Sequence, residues 1–166
     1  MKRNIVPSTF VITFAVAVVV SMAATARAQG PECTLALTAG KWGFTTSGTV
    51  VGVGPRASVG IFTLDAAGHF LDGKVTANLN GSVTDETASG TYTVNPDCTG
   101  TFAIAIFNQS GNKILTATLD IVFDNNVREL RAIFTSVVLP NGTPLATVIT
   151  ADGRKLFPGP GGQNEQ

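Results

Sequence analysis

Between about residue 44 and residue 150 the chain repeatedly alternates apolar and polar positions with a period of two. Residues 31–42 lead in with a short apolar alternation at Leu35 and Leu37, and Gly40-Lys-Trp-Gly43 then turns the chain. Phe44 to Val51 predicts a first strand, whose glycines allow close packing or bending. Gly52-Val-Gly-Pro-Arg56 then reads as a loop, and Ser58 to Leu64 as a second strand ending at the turn Asp65-Ala-Ala-Gly68. His69 to Leu79 resumes as a third strand, with Asp72-Gly73 marking a bulge or an early bend. Asn80-Gly81 is one of the strongest hairpin signals in the chain. Ser82 to Ser89 is polar and reads as a long loop or as the solvated tips of two strands.

The centre of the pattern is a module of two β-prone runs, 90–95 and 101–107, joined by a connection of turn-forming residues around Asn95-Pro-Asp-Cys98. Ile114 to Phe123 alternates cleanly: Leu115, Ala117, Leu119, Ile121 and Phe123 share one side, while Thr116, Thr118 and Asp120 share the other. Val127 to Leu139 is the longest candidate strand, broken by Pro140-Asn-Gly-Thr-Pro144, and Leu145 to Thr150 is the last. Outside the N-terminal segment there is no long stripe of helical period. The expectation is an all-β domain, a single antiparallel meander barrel of about eight strands. A two-sheet β-sandwich is the alternative. Closing into a barrel hides the edges of such a meander most completely, and eight strands leave an interior that is filled by side chains or holds one small ligand.

The first residues stand apart from this pattern. Lys2 and Arg3 precede the apolar run Phe10 to Val20, and Ala26-Arg-Ala28 fits a small-x-small cleavage site. We therefore expect a cleaved signal peptide over 1–28, a barrel domain over 29–156, and a loose tail over 157–166 rich in Pro and Gly. That makes the expected location secreted or periplasmic, with no membrane span left after cleavage. Removing Lys2, Arg3 and Arg27 from the 11 basic residues leaves 8 against 11 acidic ones, with no basic cluster, which argues against nucleic acid as a partner. Oligomeric state is not legible at this level.

The only two cysteines, Cys33 and Cys98, lie beyond the predicted cut, and export makes one disulfide between them the natural expectation. Two thiols and the single histidine, His69, do not make a metal site, and no cofactor is expected.

The runs Gly43-Phe44-Thr-Thr-Ser-Gly48, Gly60-Ile-Phe-Thr-Leu-Asp65-Ala-Ala-Gly68-His-Phe and Gly90-Thr-Tyr-Thr-Val-Asn95-Pro-Asp-Cys98-Thr-Gly-Thr resemble those of a group of uncharacterised exported bacterial proteins. More loosely, they resemble barrels of the allene oxide cyclase and calycin type. The resemblance covers roughly residues 40–150, and it implies a fold and an exported location but no catalytic residues. Lys41-Trp42-Gly43 is not the lipocalin motif, since no helix-bearing C-terminus follows.

Candidate chemistry is sparse. His69 sits beside a turn, where a polar residue is ordinary, and most aspartates occupy turns, where they bond their own backbone. Asp120 falls inside a clean strand, and Glu129 and Arg131 lie on the face opposite Leu130 and Phe134. If those faces line a cavity, Asp120, Glu129 and Arg131, with Tyr92 as a stacking ring, are the groups to orient a ligand. No catalytic residue is assigned. Three roles follow: a structural or surface-interaction domain first, a binder of a small, largely apolar ligand second, and an isomerase- or cyclase-like enzyme last.

Overall fold

The computed structural model describes residues 32–156. The expected leader (1–28) and tail (157–166) lie outside the described residues. Eight antiparallel strands follow one another in order: β1 (Gly40–Val50), β2 (Gly54–Leu64), β3 (His69–Leu79), β4 (Ser82–Val94), β5 (Thr99–Asn108), β6 (Lys113–Asp124), β7 (Glu129–Val138) and β8 (Thr147–Lys155). Each pairs with its neighbour in sequence, and β1 pairs with β8, so a single sheet closes into a barrel. The sandwich alternative is thereby excluded.

The turns have the chemistry that the sequence suggested. Asn80 and Gly81 both have positive φ (51° and 90°), the condition for the tight β3–β4 hairpin. The register shifts between Phe70 and Gly73, at the Asp72-Gly73 step, where Asp72 takes a φ of 53°.

Four local expectations are corrected. The lead-in before residue 40 holds a short helix, α1 (Leu35–Thr38), and not an apolar alternation. Its start is capped by Thr34, whose hydroxyl accepts the Leu37 N–H at 3.2 Å. Gly40 to Gly43, read as a turn, already belongs to β1, paired with both β2 and β8. Ser82 to Ser89, read as a loop or strand tips, is the first half of β4 and is laddered to β3 throughout except at its last residue. The last strand does not stop at Thr150 but runs to Lys155. In the last three cases the segment is held in its strand by partners across the ladder and not by an apolar alternation of its own.

Inward positions divide the barrel into two halves. At the end where β1 begins and β8 finishes, Trp42, Phe62, Leu64, Phe70, Tyr92, Phe102 and Phe123 fill the interior. Their rings meet at centroid distances of 4.5–6.5 Å, for example Phe62–Phe70 at 4.5 Å and Trp42–Phe123 at 5.5 Å. Phe44 can lie inside because its neighbour on β2 is Gly60, where an added Cβ would stand 2.9 Å from the Phe44 ring. The other half is lined by smaller groups, among them Thr46, Ser58, Val75, Ala88 and Ala151.

Helix α1 closes the aromatic end. The Trp42 indole N–H donates to the Thr38 carbonyl at 3.0 Å, and Lys155 Nζ donates to the Leu37 carbonyl at 2.8 Å. The Lys155 ammonium also stands 5.8 Å from the Trp42 ring centre, and burial lowers its pKa. Just ahead of the helix in the chain, Cys33 forms the expected disulfide with Cys98, with 5.0 Å between Cα atoms. It ties the segment before β1 to the β4–β5 turn.

Candidate functional site

The four residues singled out from sequence do not converge. Tyr92 is inside, but at the closed end. Its hydroxyl lies 2.6 Å from the Asp65 carbonyl, the nearest acceptor for its proton, with the Thr38 hydroxyl at 3.1 Å and the Leu35 carbonyl at 3.2 Å. It fastens helix α1 and the β2–β3 turn to the wall. Asp120 and Arg131 are exposed on the outside of β6 and β7 and border one shallow outer groove with Thr101, Val122 and Ile133. Arg131 Nε faces Asp124 at 3.3 Å. Glu129 accepts from Arg154 at 3.1 Å and from Asn125 at 3.2 Å, beside Arg131 on the outer wall.

Tyr92 offers a direct probe of the closed end, as the sequence contains a single tyrosine. Burial pushes its phenol above the ordinary 10.0; the bond with Thr38 opposes this, and the Asp65 charge adds to it. An acid whose folded pKa is raised contributes stability below its unfolded pKa and loses it as pH rises through the folded value. Phenolate absorbance should therefore appear only above pH 10, together with loss of the β-sheet circular dichroism signal. Ionisation at the ordinary value with the fold intact would mean that this end is open to water.

The groups that do converge lie in the other half. Arg56, on β2, sends Nη2 to Glu86 Oε2, on β4, at 2.9 Å, and the two side chains are 15% and 4% exposed. The Thr84 hydroxyl donates to the other Glu86 oxygen at 3.2 Å. The registers set Arg56 opposite Leu79 and Glu86 opposite Val75, so the line joining them crosses β3 at Ala77, which is small enough to be passed over. Close by, the Thr46 and Ser58 hydroxyls share a 2.7 Å hydrogen bond.

Arg56, Thr46 and Ser58 border a cavity of about 50 Å³ whose remaining lining is apolar, including Phe44, Ile104, Phe134 and Ala151. Next to it the ladder is interrupted: among the described residues, β7–β8 pairing ends at Ile133–Thr150. β7 is joined again only at its far end, where the Leu145 N–H donates to the Val137 carbonyl at 2.8 Å and Val138 bridges Pro144. Between the two, β7 continues with the cavity-lining Phe134, while β8 residues 147–149 are laddered only to β1. No group of three or more metal-ligating side chains occurs among the described residues.

Arg56 and Glu86 were missed because the first fell in a stretch read as a loop and the second in one read as a loop or as solvated strand tips. The signal was nevertheless present. Counted by twos, Arg56 shares the face of Ser58, Gly60, Phe62 and Leu64, and Glu86 that of Ala88, Gly90 and Tyr92. A charge on the face that carries the core is the informative exception.

No family model matches the chain, and neither does any curated protein. Solved structures do, among them the following three. One, described as EF1p2_mFAP2b bound to DFHBI, shares 14% identity over 72% of this chain and 94% of its own, with a TM-score of 0.51. Two redesigned β-barrels, mFAP1 and mFAP0, each bound to DFHBI, share 15% identity, with TM-scores of 0.49 and 0.46. They cover 74% and 72% of this chain and 98% and 99% of their own. None carries an allene oxide cyclase or calycin name. What this chain shares with the first of them is the fold, a closed β-barrel.

Proposed function

We propose that this barrel binds a small, largely apolar molecule in the half away from helix α1. The observation that carries this reading is the Arg56–Glu86 pair, held inside the barrel with Arg56 at a largely apolar cavity. A buried ion pair is a weak source of stability, since desolvation offsets most of its attraction, and apolar side chains would fill the same space at less cost. Polar groups converging on an apolar cavity are what a ligand site needs. The interrupted β7–β8 ladder supplies a way in. The disulfide accords with an oxidising compartment, and we place the protein outside the cytoplasm on that basis together with the predicted leader.

A structural or surface-interaction role is favoured by one observation. The cavity of about 50 Å³ is far below the roughly 300 Å³ of an ordinary ligand pocket, so an occupant must be small or must displace Phe134 or Arg56. Native mass spectrometry of the natively produced, unheated protein separates the two readings. A discrete excess mass of a small organic molecule, lost on denaturation and absent from an Ala151→Leu variant, is expected. A bare mass, together with no response to a panel of small apolar compounds, would leave the outer wall and the loops as the functional surface.

A further inference from the structure

We infer that the ligand is an uncharged molecule carrying a hydrogen-bond acceptor, such as a ketone or aldehyde oxygen, on a short apolar body. This rests on the binding reading above and narrows it by charge. The Arg56 guanidinium has five N–H donors, and among the described residues the one side-chain acceptor bonded to it is Glu86, through Nη2. Arg56 borders the cavity, whereas Glu86 does not, and the two Glu86 oxygens already accept from Arg56 and Thr84. What the pair presents to the cavity is therefore donor capacity. A ligand must answer with an acceptor.

The sign of the charge decides which acceptor. Arg56 is already neutralised by a carboxylate 2.9 Å away, so the pair contributes no net charge. A carboxylate or phosphate entering here would be a third charge, desolvated among Phe44, Ile104 and Phe134 and repelled by Glu86. A ligand ammonium would face the guanidinium. A carbonyl oxygen takes the spare donors and brings no charge to compensate. The Thr46–Ser58 hydroxyl pair, on the same cavity, offers a second polar contact of the same neutral kind.

The test uses three probes of nearly one shape, methyl propyl ketone, butyrate and pentane, followed by backbone amide shifts at Ala88, Ile104 and Ala151 in the full domain. The ketone is expected to bind at least about tenfold more tightly than either of the others, a difference of about 1.4 kcal/mol. Glu86→Gln leaves the Arg56 charge without its partner, and the order of ketone and butyrate should invert. The double replacement Arg56→Leu with Glu86→Leu exchanges the pair for apolar groups, keeps the barrel folded, and should remove most of the ketone's advantage over pentane, leaving only what the Thr46–Ser58 pair supplies. Butyrate or inorganic phosphate binding the unaltered protein more tightly than the ketone overturns the charge inference while leaving the cavity a ligand site. Equal binding of ketone and pentane to the unaltered protein does the same. Failure of all the probes to move cavity amides removes the ligand site itself, and the inference with it.

Discussion

Replacing Trp42 with alanine is expected to lower the free energy of unfolding by about 3–5 kcal/mol, the range for truncating a large buried aromatic. Trp42 is fully buried and joins three separate parts of the closed end. Its ring packs on Phe62 and Phe123, its N–H holds the last carbonyl of helix α1, and Lys155 at the end of β8 lies over it. Alanine removes the packing and leaves the Thr38 carbonyl without its indole donor. A cavity at the junction of β1, β2 and β6 is hard to collapse, because all three strands are fixed by ladders on both edges. Trp42→Phe keeps much of the ring and loses the bond, and should cost about half as much or less. Urea unfolding followed by far-ultraviolet circular dichroism measures both, since the sole tryptophan is the residue removed. A loss below about 1 kcal/mol for the alanine variant would mean that helix α1 and its neighbours refill the space.

Removing both cysteines, as Cys33→Ala with Cys98→Ala, is expected to cost about 4 kcal/mol on the chain-entropy estimate for a loop of this length. The sequence separation is 65 residues. The folded contacts around the bridge do not depend on it: the Cys33 N–H still donates to the Pro96 carbonyl at 3.1 Å, and the Phe123 N–H to the Cys98 carbonyl at 2.9 Å. The effect should therefore arise in the unfolded ensemble, where the chain regains the freedom that the crosslink denied it. Two signatures check this. The double variant and the reduced unaltered protein should share one lowered urea midpoint, and the folded circular dichroism spectrum should stay unchanged. A spectrum that changes before unfolding would place the effect in the native state instead.

The barrel was legible because its information lies in alternation and turn chemistry, both local. Asn80-Gly81, Asp72-Gly73 and the Cys98 turn each marked a true reversal or bulge, and the Leu115–Phe123 alternation gave the correct inward face of β6. Strand ends were less legible. Gly40, Ser82 and Lys155 are held in strands by partners across the ladder, and nothing in their own side chains favours that state. The candidate site suffered from the same gap. Asp120, Glu129 and Arg131 stand where period-two counting put them, opposite the apolar face, and in a closed barrel that face is the outside. Arg56 and Glu86 belong to the inward face, yet 30 residues separate them and only the β2–β3–β4 registers bring them together. Pairing across an intervening strand has no signature in a single sequence.

The β1–β8 joint has a further consequence for the order in which the molecule assembles. Seven of the eight strand pairings join neighbours in sequence, but the eighth matches Trp42 with Lys155 across most of the domain. Hairpins close in microseconds, whereas a pairing at that separation waits until the intervening strands are in place. Until it forms, the sheet has two bare edges, the state in which β proteins associate with one another. The Cys33–Cys98 bond shortens the covalent path between the two edges by about two-fifths, worth about 0.5 kcal/mol in closure entropy. Oxidation ahead of closure thus shortens the search for the final seam, and a chain folding without it is exposed longer as an open sheet.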